Sequence, residues 1–149
     1  MSEKSELVFF IDRCLGKKKV AEALRNAGAK VEIHDDHFTQ DISDVEWLGV
    51  VGERNWVVLT KDENIGYRTS EQLAVAEANV RVFVLVSTNI SGQKMADTFV
   101  KTLDKMQKFA LNNPAPFMAK VYQSGRVIMW KKRKVLLKKI TEVSPDSSE

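Results

Sequence analysis

Two short apolar runs in this chain each lead into an acidic residue. The run Leu7–Ile11 is followed directly by Asp12. The run Trp56–Thr60 leads through Lys61 to Asp62. Apolar, β-branched and aromatic runs of this length are typical of strands that are buried on both faces of a parallel sheet. We therefore predict two buried strands, each of which carries a carboxylate out to the rim of the sheet at its C-terminal end.

The segments around these runs alternate between strand and helix patterns. Ser43 and Glu46 match a capping box at the start of one helix, and Gly28 supplies a stop signal for another. The predicted order is strand 7–12, helix 15–27, strand 31–34, a polar loop-like segment 35–42, a helix from 43, strand 56–60, a capped helix 69–78 and strand 80–86. This alternation predicts an α/β fold with a parallel sheet of about four strands flanked by helices.

The C-terminal half predicts a long helix followed by a β-hairpin. Ser91 begins the helix and Asn112–Pro114 ends it, and its apolar residues recur on one face. Residues 117–122 and 126–130 flank the turn pair Ser124-Gly125, which favours a hairpin. No repeat or linker divides the chain. We therefore predict one domain over 7–130, a disordered N-terminus at 1–6, and a basic C-terminal segment with a disordered tail at 131–149.

Charge and cysteine content narrow the class of protein. Residues 1–80 hold 10 Lys+Arg and 15 Asp+Glu, a net charge of −5, whereas residues 81–149 hold 13 and 5, a net charge of +8. This asymmetry fits a metal site in one region and a polyanion in another, or simply a solvated lysine-rich tail. Cys14 is the single cysteine and the N-terminus has no signal-peptide layout, so a cytoplasmic protein is expected. The longest apolar run has only the length of a strand, so no membrane span is expected.

Several carboxylates are predicted to gather at one edge of the sheet. Ligands of open parallel sheets bind outside the carboxyl ends of the strands, where Asp12 and Asp62 would lie. Other acids expected near that edge are Asp35 and Asp36 after the second strand, and Asp44 and Glu46 on the next helix. Clustered carboxylates repel one another unless a cation intervenes, and an all-oxygen site suits Mg²⁺ or Mn²⁺.

Each of these acids also has a purely structural interpretation. Asp12 could cap the following helix, Asp62 could be a turn residue, and Glu46 could be only the partner of the Ser43 cap. His34 and His37 do not form a zinc site, because no Cys or further His completes the ligand set. No His–acid pair is present to activate the Cys14 thiol. The chain also has no Walker or dinucleotide-binding glycine motif. Metal held by carboxylates is therefore the chemistry that the residues favour.

Four segments in order give the chain a resemblance to a known family. They are Phe9–Arg13, His34–Phe38, Asp44–Leu48 and Val57–Asp62. Together they resemble the PIN-like nuclease family, and in particular its short branch akin to VapC-type toxins. The resemblance covers about residues 7–130. It implies a parallel sheet flanked by helices, acidic residues around Mg²⁺ or Mn²⁺, endonucleolytic cleavage of RNA, and a partner antitoxin.

The resemblance also implies roles for individual residues. Asp12 matches the acid of the first strand, and Asp62 matches the acid of the Thr-x-Asp motif. Either Asp44 or Glu46 matches the helical acid, and Asp36 is a further candidate. The chain departs from the family at a fourth acidic position, where only Glu63 and Asn64 lie nearby as polar substitutes.

The resulting hypothesis is a metal-dependent ribonuclease in which these acids hold the ion and basic residues hold the RNA. The expected phosphate-binding residues are Arg13, Lys61, Arg68, Lys131, Lys132 and Arg133. Trp130, beside the basic run, is the tryptophan best placed to stack on a base. The main alternative is an inactive PIN-like module that binds nucleic acid or a partner protein, and a third is a phospho-acceptor signalling domain. The sequence leaves a homo-oligomer open.

Overall fold

The computed structural model describes residues 7–86 and 89–143, and its strands form a single six-stranded sheet. The strands are β1 (Val8–Ile11), β2 (Lys30–Ile33), β3 (Val57–Thr60), β4 (Arg81–Val86), β5 (Phe117–Tyr122) and β6 (Val127–Lys131). Their spatial order is β2-β1-β3-β4-β5-β6. The first five strands are mutually parallel, and β6 pairs antiparallel with β5.

Helices cover both faces of the sheet. The helices are α1 (Lys19–Asn26), α2 (His34–His37), α3 (Asp44–Glu53), α4 (Thr69–Ala78), α5 (Gly92–Asn112) and α6 (Arg133–Val143), with 3-10 turns at Arg13–Leu15 and Glu63–Gly66. α1 packs against α5, while α4 packs against α3 and α6. None of the helices that the structure describes combines the length and the apolarity needed to cross a membrane.

Alternation along each strand builds two separate cores. Phe9 and Leu59 point to the face that α1 and α5 cover, where Phe99 joins the same apolar cluster. Their sequence neighbours Phe10 and Val58 point to the opposite face of the sheet. Successive side chains of a strand lie on opposite faces, so continuously apolar strands are stable only with helices on both sides. The α/β prediction of a mostly parallel, helix-flanked sheet is therefore confirmed.

The predicted hairpin is present, but it extends the main sheet. Phe117 pairs with Arg81 of β4 in parallel register, and β5 then turns at Gly125 into antiparallel β6. The parallel part of the sheet therefore has five strands where the sequence predicted about four. Pairing between β4 and β5 is long-range and leaves no local signal in the sequence.

The strand order reverses between β1 and β3. From β1 the chain crosses to β2 on one side, and it then returns past β1 to place β3 on the other side. This reversal opens a crevice at the carboxyl ends of the two strands, because their outgoing connections diverge. Asp12 follows β1 and Asp62 follows β3, so both stand at the crevice.

Three local features differ from the sequence prediction. The short helix His34–His37 takes the place of the end of the predicted strand 31–34 and the start of the predicted loop-like segment 35–42. The predicted cap of α4 is absent, because the N-cap residue is Arg68 and its side chain makes no capping hydrogen bond. The sequence of α5 also predicts the i,i+4 pairs Asp97/Lys101 and Asp104/Lys108; the second pair forms, whereas Lys101 donates to the Gln123 carbonyl.

The basic segment after 130 is helical over most of its described length. Leu136 of α6 is fully buried in the core formed with α3 and α4. The domain boundary at 130 stays a prediction. The predicted disorder at 1–6 and at 144–149 falls outside the described residues.

Candidate active site

Three carboxylates from separate parts of the chain line one cavity at the crevice between β1 and β3. Asp12, Asp44 and Asp62 line it together with Arg13 and Cys14, and its volume is about 240 Å³. β1 and β3 deliver the first and third acid directly, and the first turn of α3 brings the second acid to the same rim. The structure thus brings together three of the acids that the sequence singled out.

The Asp12 carboxylate is held by neighbours from β3 and the first 3-10 turn. The Thr60 hydroxyl donates to Asp12 Oδ2 at 2.7 Å, and the Cys14 thiol lies 3.5 Å from the same oxygen. Burial raises the pKa of the Asp12 carboxyl, the Thr60 hydrogen bond opposes that rise, and the negative charge of Asp44 adds to it. An ionised Asp12 is therefore poorly compensated, and a cation in the cavity would stabilise it.

Asp62 owes its position to a tight turn after β3. Its backbone N–H donates to the Thr60 hydroxyl at 3.1 Å, and its Oδ1 accepts from the Asn64 N–H at 3.0 Å. Short polar side chains commonly satisfy the backbone two residues away in this manner. The carboxylate therefore leaves the strand at a fixed angle, with Oδ2 toward the side chain of Arg68.

The structure gives different contacts to Asp44 and Glu46, the two acids of α3 that the sequence left as alternatives. Asp44 lines the cavity, and its Oδ1 accepts from Trp47 Nε1 at 2.8 Å. Glu46 instead completes the capping box, since its Oε1 accepts from the Ser43 N–H at 3.3 Å while the Ser43 hydroxyl accepts from the Glu46 N–H. Asp44 is therefore placed to act in the cavity, and Glu46 is engaged in capping the helix.

Glu71 joins the site, although sequence reasoning missed it. It lies on the first turn of α4 and is only 8% exposed. One carboxylate oxygen each from Asp44, Asp62 and Glu71 lie within 4.8 Å of one another. Burial raises the pKa of the Glu71 carboxyl, and the charges of Asp44 and Asp62 raise it further, against the opposing effect of Arg68. The signal that pointed to Asp44, an acid on the first turn of a helix at this rim, is also present at Glu71.

Arg68 lies in the middle of this acidic trio. Its Nη1 is 2.9 Å and 3.2 Å from the two Glu71 oxygens. The same nitrogen is 3.2 Å from Asp62 Oδ2 and 3.8 Å from Asp44 Oδ2. Glu71, and after it Asp62, raise the pKa of the guanidinium. Arg68 was predicted to meet phosphate, and the structure shows it compensating carboxylates of its own chain.

The donor set fits a hard divalent cation. The trio Asp44, Asp62 and Glu71 offers only carboxylate oxygens, which are the ligands that Mg²⁺ and Mn²⁺ prefer. Asp12 contributes no oxygen to this trio but lines the same cavity. The buried Glu71 and the partly buried Asp12 both have raised pKa values, as expected where anionic groups converge without full compensation.

The remaining predicted residues lie at various distances from the cavity. Arg13 lines it and donates from Nη1 to the Gln40 carbonyl at 2.6 Å, whereas Lys61 is exposed beside it. Asp36 is exposed on α2 and is not among the cavity's lining residues; Asp35 pairs with Lys17 at 3.2 Å.

The basic residues at the end of β6 contact other parts of the chain. Lys131 Nζ lies 5.6 Å from the centroid of the Trp130 ring, and Arg133 Nε donates to the Ala115 carbonyl. Lys132 is exposed at the start of α6. The structure therefore groups these three cations on the β6–α6 side of the molecule.

The environment of Cys14 makes its thiol a poor nucleophile, although the residue lines the cavity. Its thiol lies 3.3 Å from the Thr60 hydroxyl and accepts from the Lys61 N–H at 3.4 Å. Loss of solvent around the thiol and the charge of Asp12 raise its pKa to about 11. The thiolate is the nucleophilic form of cysteine, so this environment disfavours nucleophilic catalysis by Cys14.

Comparison with known proteins gives two matches. A family model described as a PIN like domain matches residues 7–87, more than half of the chain, and this range contains all four acids of the site. The protein named "Putative ribonuclease VapC45" from Mycobacterium tuberculosis (strain ATCC 25618 / H37Rv) is 29% identical over 119 residues. That alignment covers 77% of this chain and 86% of the relative. No solved structure matches significantly.

Proposed function

The chain belongs to the PIN-like domain family, and from this premise we propose that it is a divalent-metal-dependent endoribonuclease. The observation that carries the proposal is the convergence of Asp12, Asp44 and Asp62 on one cavity at the reversal of strand order. We further propose that it is the toxin of a toxin–antitoxin pair and acts in the cytoplasm. The ribonuclease name of a relative that matches over most of both chains supports the same activity.

The carboxylates would have two roles: three of them would bind the metal ion, and the fourth would accept a proton. Asp44, Asp62 and Glu71 would hold Mg²⁺ or Mn²⁺, with Asp12 beside them. A bound ion of this kind supplies a water of lowered pKa and neutralises charge on the phosphodiester. Asp12, which lines the cavity beside the trio, would accept a proton from the attacking water.

The cations at the rim would orient the substrate. Arg13 lines the cavity, and the exposed Lys61 lies between Thr60 and Asp62 in the chain; both would face the scissile phosphate. Arg68 already compensates the acidic trio, so its role is to keep mutually repelling carboxylates close together. Preorganised charges of this kind stabilise a transition state without reorganisation during the reaction.

The test is cleavage of a labelled single-stranded RNA by the full chain with Mg²⁺, with Mn²⁺ and with EDTA. Wild type should cleave only with metal, and Asp12→Asn and Asp62→Asn should each lower the rate by at least about 100-fold. Asp97→Asn, on the exposed face of α5, is the matched control and should cleave as wild type does. Undiminished cleavage by both active-site variants would rule out this site.

One observation favours the second candidate function, an inactive PIN-like module. Arg68 lies within 3.8 Å of Asp44, Asp62 and Glu71, so part of their charge is compensated without any metal. A chain of this kind would bind RNA or a partner protein through its surface alone. Salt-dependent RNA binding, without cleavage under any of the metal conditions above, would favour this function over the first.

A further inference from the structure

Tyr67 is an unusually exposed aromatic residue at the edge of the candidate site. It follows the 3-10 turn Glu63–Gly66, and 62% of it is accessible to solvent, the largest fraction among the exposed large apolar residues. The next residue is Arg68, whose guanidinium contacts Asp62. Tyr67 is therefore the neighbour in the chain of the arginine that contacts the acidic trio.

The Trp130 ring packs against the Tyr67 ring. The two rings meet edge to face, with centroids 5.5 Å apart and planes inclined at 70°. Gly66 makes this approach feasible, because a Cβ at that position would lie 2.1 Å from the Trp130 ring. The tyrosine is therefore seated on a packed support, and one part of its ring remains open to solvent.

Trp130 itself is poorly placed to stack on a base. Lys120 Nζ lies 4.3 Å from the centroid of its ring, Lys131 Nζ lies 5.6 Å from it, and Gly66 packs against its edge. Among the three tryptophans, the sequence left only Trp130 as a candidate for stacking on a base. The structure gives Trp130 a supporting role and leaves Tyr67 as the accessible ring.

Two ammonium groups, those of Lys120 and Lys131, lie against the Trp130 ring. Neither Lys120 nor Lys131 forms a salt bridge with a carboxylate of the described residues. Lys132, the next residue, is exposed. An accessible aromatic ring near ammonium groups that form no such salt bridge is a combination that binds single-stranded nucleic acid, since bases stack on the ring and phosphates bind the cations.

We propose that Tyr67 is a base-stacking residue for single-stranded RNA, and that Lys120 and Lys131 bind the phosphates next to the stacked base. The proposal rests on the proposed function for the identity of the polymer, and it restricts the substrate to RNA with an unpaired base near the cleavage site. A base inside a duplex is stacked on its neighbours and does not offer its face to a side chain.

The test measures RNA affinity separately from cleavage. Fluorescence anisotropy with a labelled single-stranded RNA, in EDTA so that no metal-dependent cleavage occurs, gives Kd for the full-length wild type and its variants. Tyr67→Ala should weaken binding by about 5- to 150-fold, the range that loss of one base–aromatic stack corresponds to. Tyr67→Phe keeps the ring and should bind within about 3-fold of wild type.

Two controls separate stacking from general surface effects. Leu111→Ala removes another exposed apolar side chain, on α5, and should leave Kd unchanged. An RNA duplex of the same sequence should bind more weakly to wild type, and Tyr67→Ala should not weaken it further. Lys120→Met and Lys131→Met should each reduce the salt dependence of single-strand binding, because each removes one phosphate contact.

Each outcome bears on one proposal at a time. The stacking proposal is overturned if Tyr67→Ala binds single strands like Leu111→Ala, if it weakens duplex binding equally, or if wild type binds no RNA. Binding that depends on Tyr67, in a chain that cleaves nothing with Mg²⁺ or Mn²⁺, would instead overturn the nuclease activity and leave the stacking residue in place. Tyr67 is exposed, so its substitution is not expected to affect folding, and thermal unfolding of the variant checks this.

Discussion

Thr60 donates its hydroxyl hydrogen to Asp12 at 2.7 Å while the same hydroxyl accepts from the backbone N–H of Asp62 at 3.1 Å. One buried side chain thus connects the acid that follows β1 with the acid that follows β3. A hydroxyl can donate and accept at once, and a β-branched residue suits a strand. This dual role gives a physical reason for a threonine two residues before the aspartate in the Thr-x-Asp motif.

Thr60→Val tests this connection, because valine keeps the shape and removes the hydroxyl. We expect a loss of stability of about 1–3 kcal/mol at pH 8, since the Asp12 carboxylate and the Asp62 N–H both lose a buried partner. Thr60→Ser retains the hydroxyl and should lose less. Urea unfolding of the three proteins measures the difference, and equal losses for valine and serine would show that the hydroxyl is not what matters.

Asp44→Asn and Glu46→Gln distinguish the two acids of α3. Asparagine can still accept from Trp47 Nε1, so the first variant should fold and lose metal-dependent cleavage by at least about 100-fold. Glutamine can still complete the capping box, so the second variant should cleave within about 2-fold of wild type. Initial rates of RNA cleavage, with unfolding curves as the control for folding, measure both. The reverse ranking would assign the helical acid to Glu46.

Asp12→Asn should stabilise the metal-free protein at neutral pH. Burial raises the pKa of Asp12 in the folded state above its unfolded value. The folded chain therefore binds the proton more tightly, and stability falls as pH rises from the unfolded pKa of about 3.9 through the folded pKa. Asparagine cannot ionise but still accepts from Thr60, so it removes this loss. A gain of 1 kcal/mol would raise Tm by about 2–4 °C.

The measurement for Asp12→Asn is Tm in EDTA at pH 4 and at pH 8. The advantage of the variant over wild type should be larger at pH 8. Asp97→Asn, at an exposed position of α5, is the control and should show no such dependence. An advantage that is the same at both pH values would mean that ionisation of Asp12 does not limit stability.

Glu71→Gln should weaken metal binding. The oxygen of Glu71 lies within 4.8 Å of those of Asp44 and Asp62, and replacing a charged ligand by an amide lowers affinity for a hard cation. We expect the Kd for Mn²⁺ to rise by at least about 10-fold, by analogy with losses at metal-site residues. Isothermal titration calorimetry measures this. Glu77→Gln, exposed on the same helix, should bind as wild type does, and equal affinities for both variants would exclude Glu71 as a ligand.

Leu136→Ala tests whether the basic segment after residue 130 is part of the folded domain. Leu136 is fully buried against the core of α3 and α4, so its truncation should cost about 2–5 kcal/mol. Val135, its neighbour on α6, is 40% exposed, and Val135→Ala should cost less than about 1 kcal/mol. Denaturant unfolding compares them. Similar small losses would instead fit the boundary at 130 that the sequence predicted.

Much of the fold and part of the candidate site could be predicted because their signals are local. The strand Val57–Thr60 is buried at every position, and such a strand must be covered by other elements on both faces. This excludes a sheet with one face exposed to solvent. The Ser43–Glu46 capping box is confirmed because both partners lie within one helical turn. The crevice was predictable too, because the carboxyl ends of parallel strands share one edge, where Asp12 and Asp62 now lie.

The failures concern contacts between distant parts of the chain. Arg68 looked available for phosphate until Asp44 and Asp62 were placed against its guanidinium. Trp130 looked accessible until Gly66, Lys120 and Lys131 were placed against its ring. In both cases the identity of the residue was known, and the partners that occupy it were not.

The sequence by itself determined which strands are buried, where carboxylates leave them, and that these carboxylates gather at one edge of the sheet, because periodicity and strand polarity are properties of short segments. Only the tertiary structure decided that Arg68 and Glu71 join the acids, that α6 closes the second core, and that Tyr67 rather than Trp130 is the accessible ring. Those outcomes depend on long-range packing: the order of strands sets which loops meet, and burial then fixes which charges must be compensated.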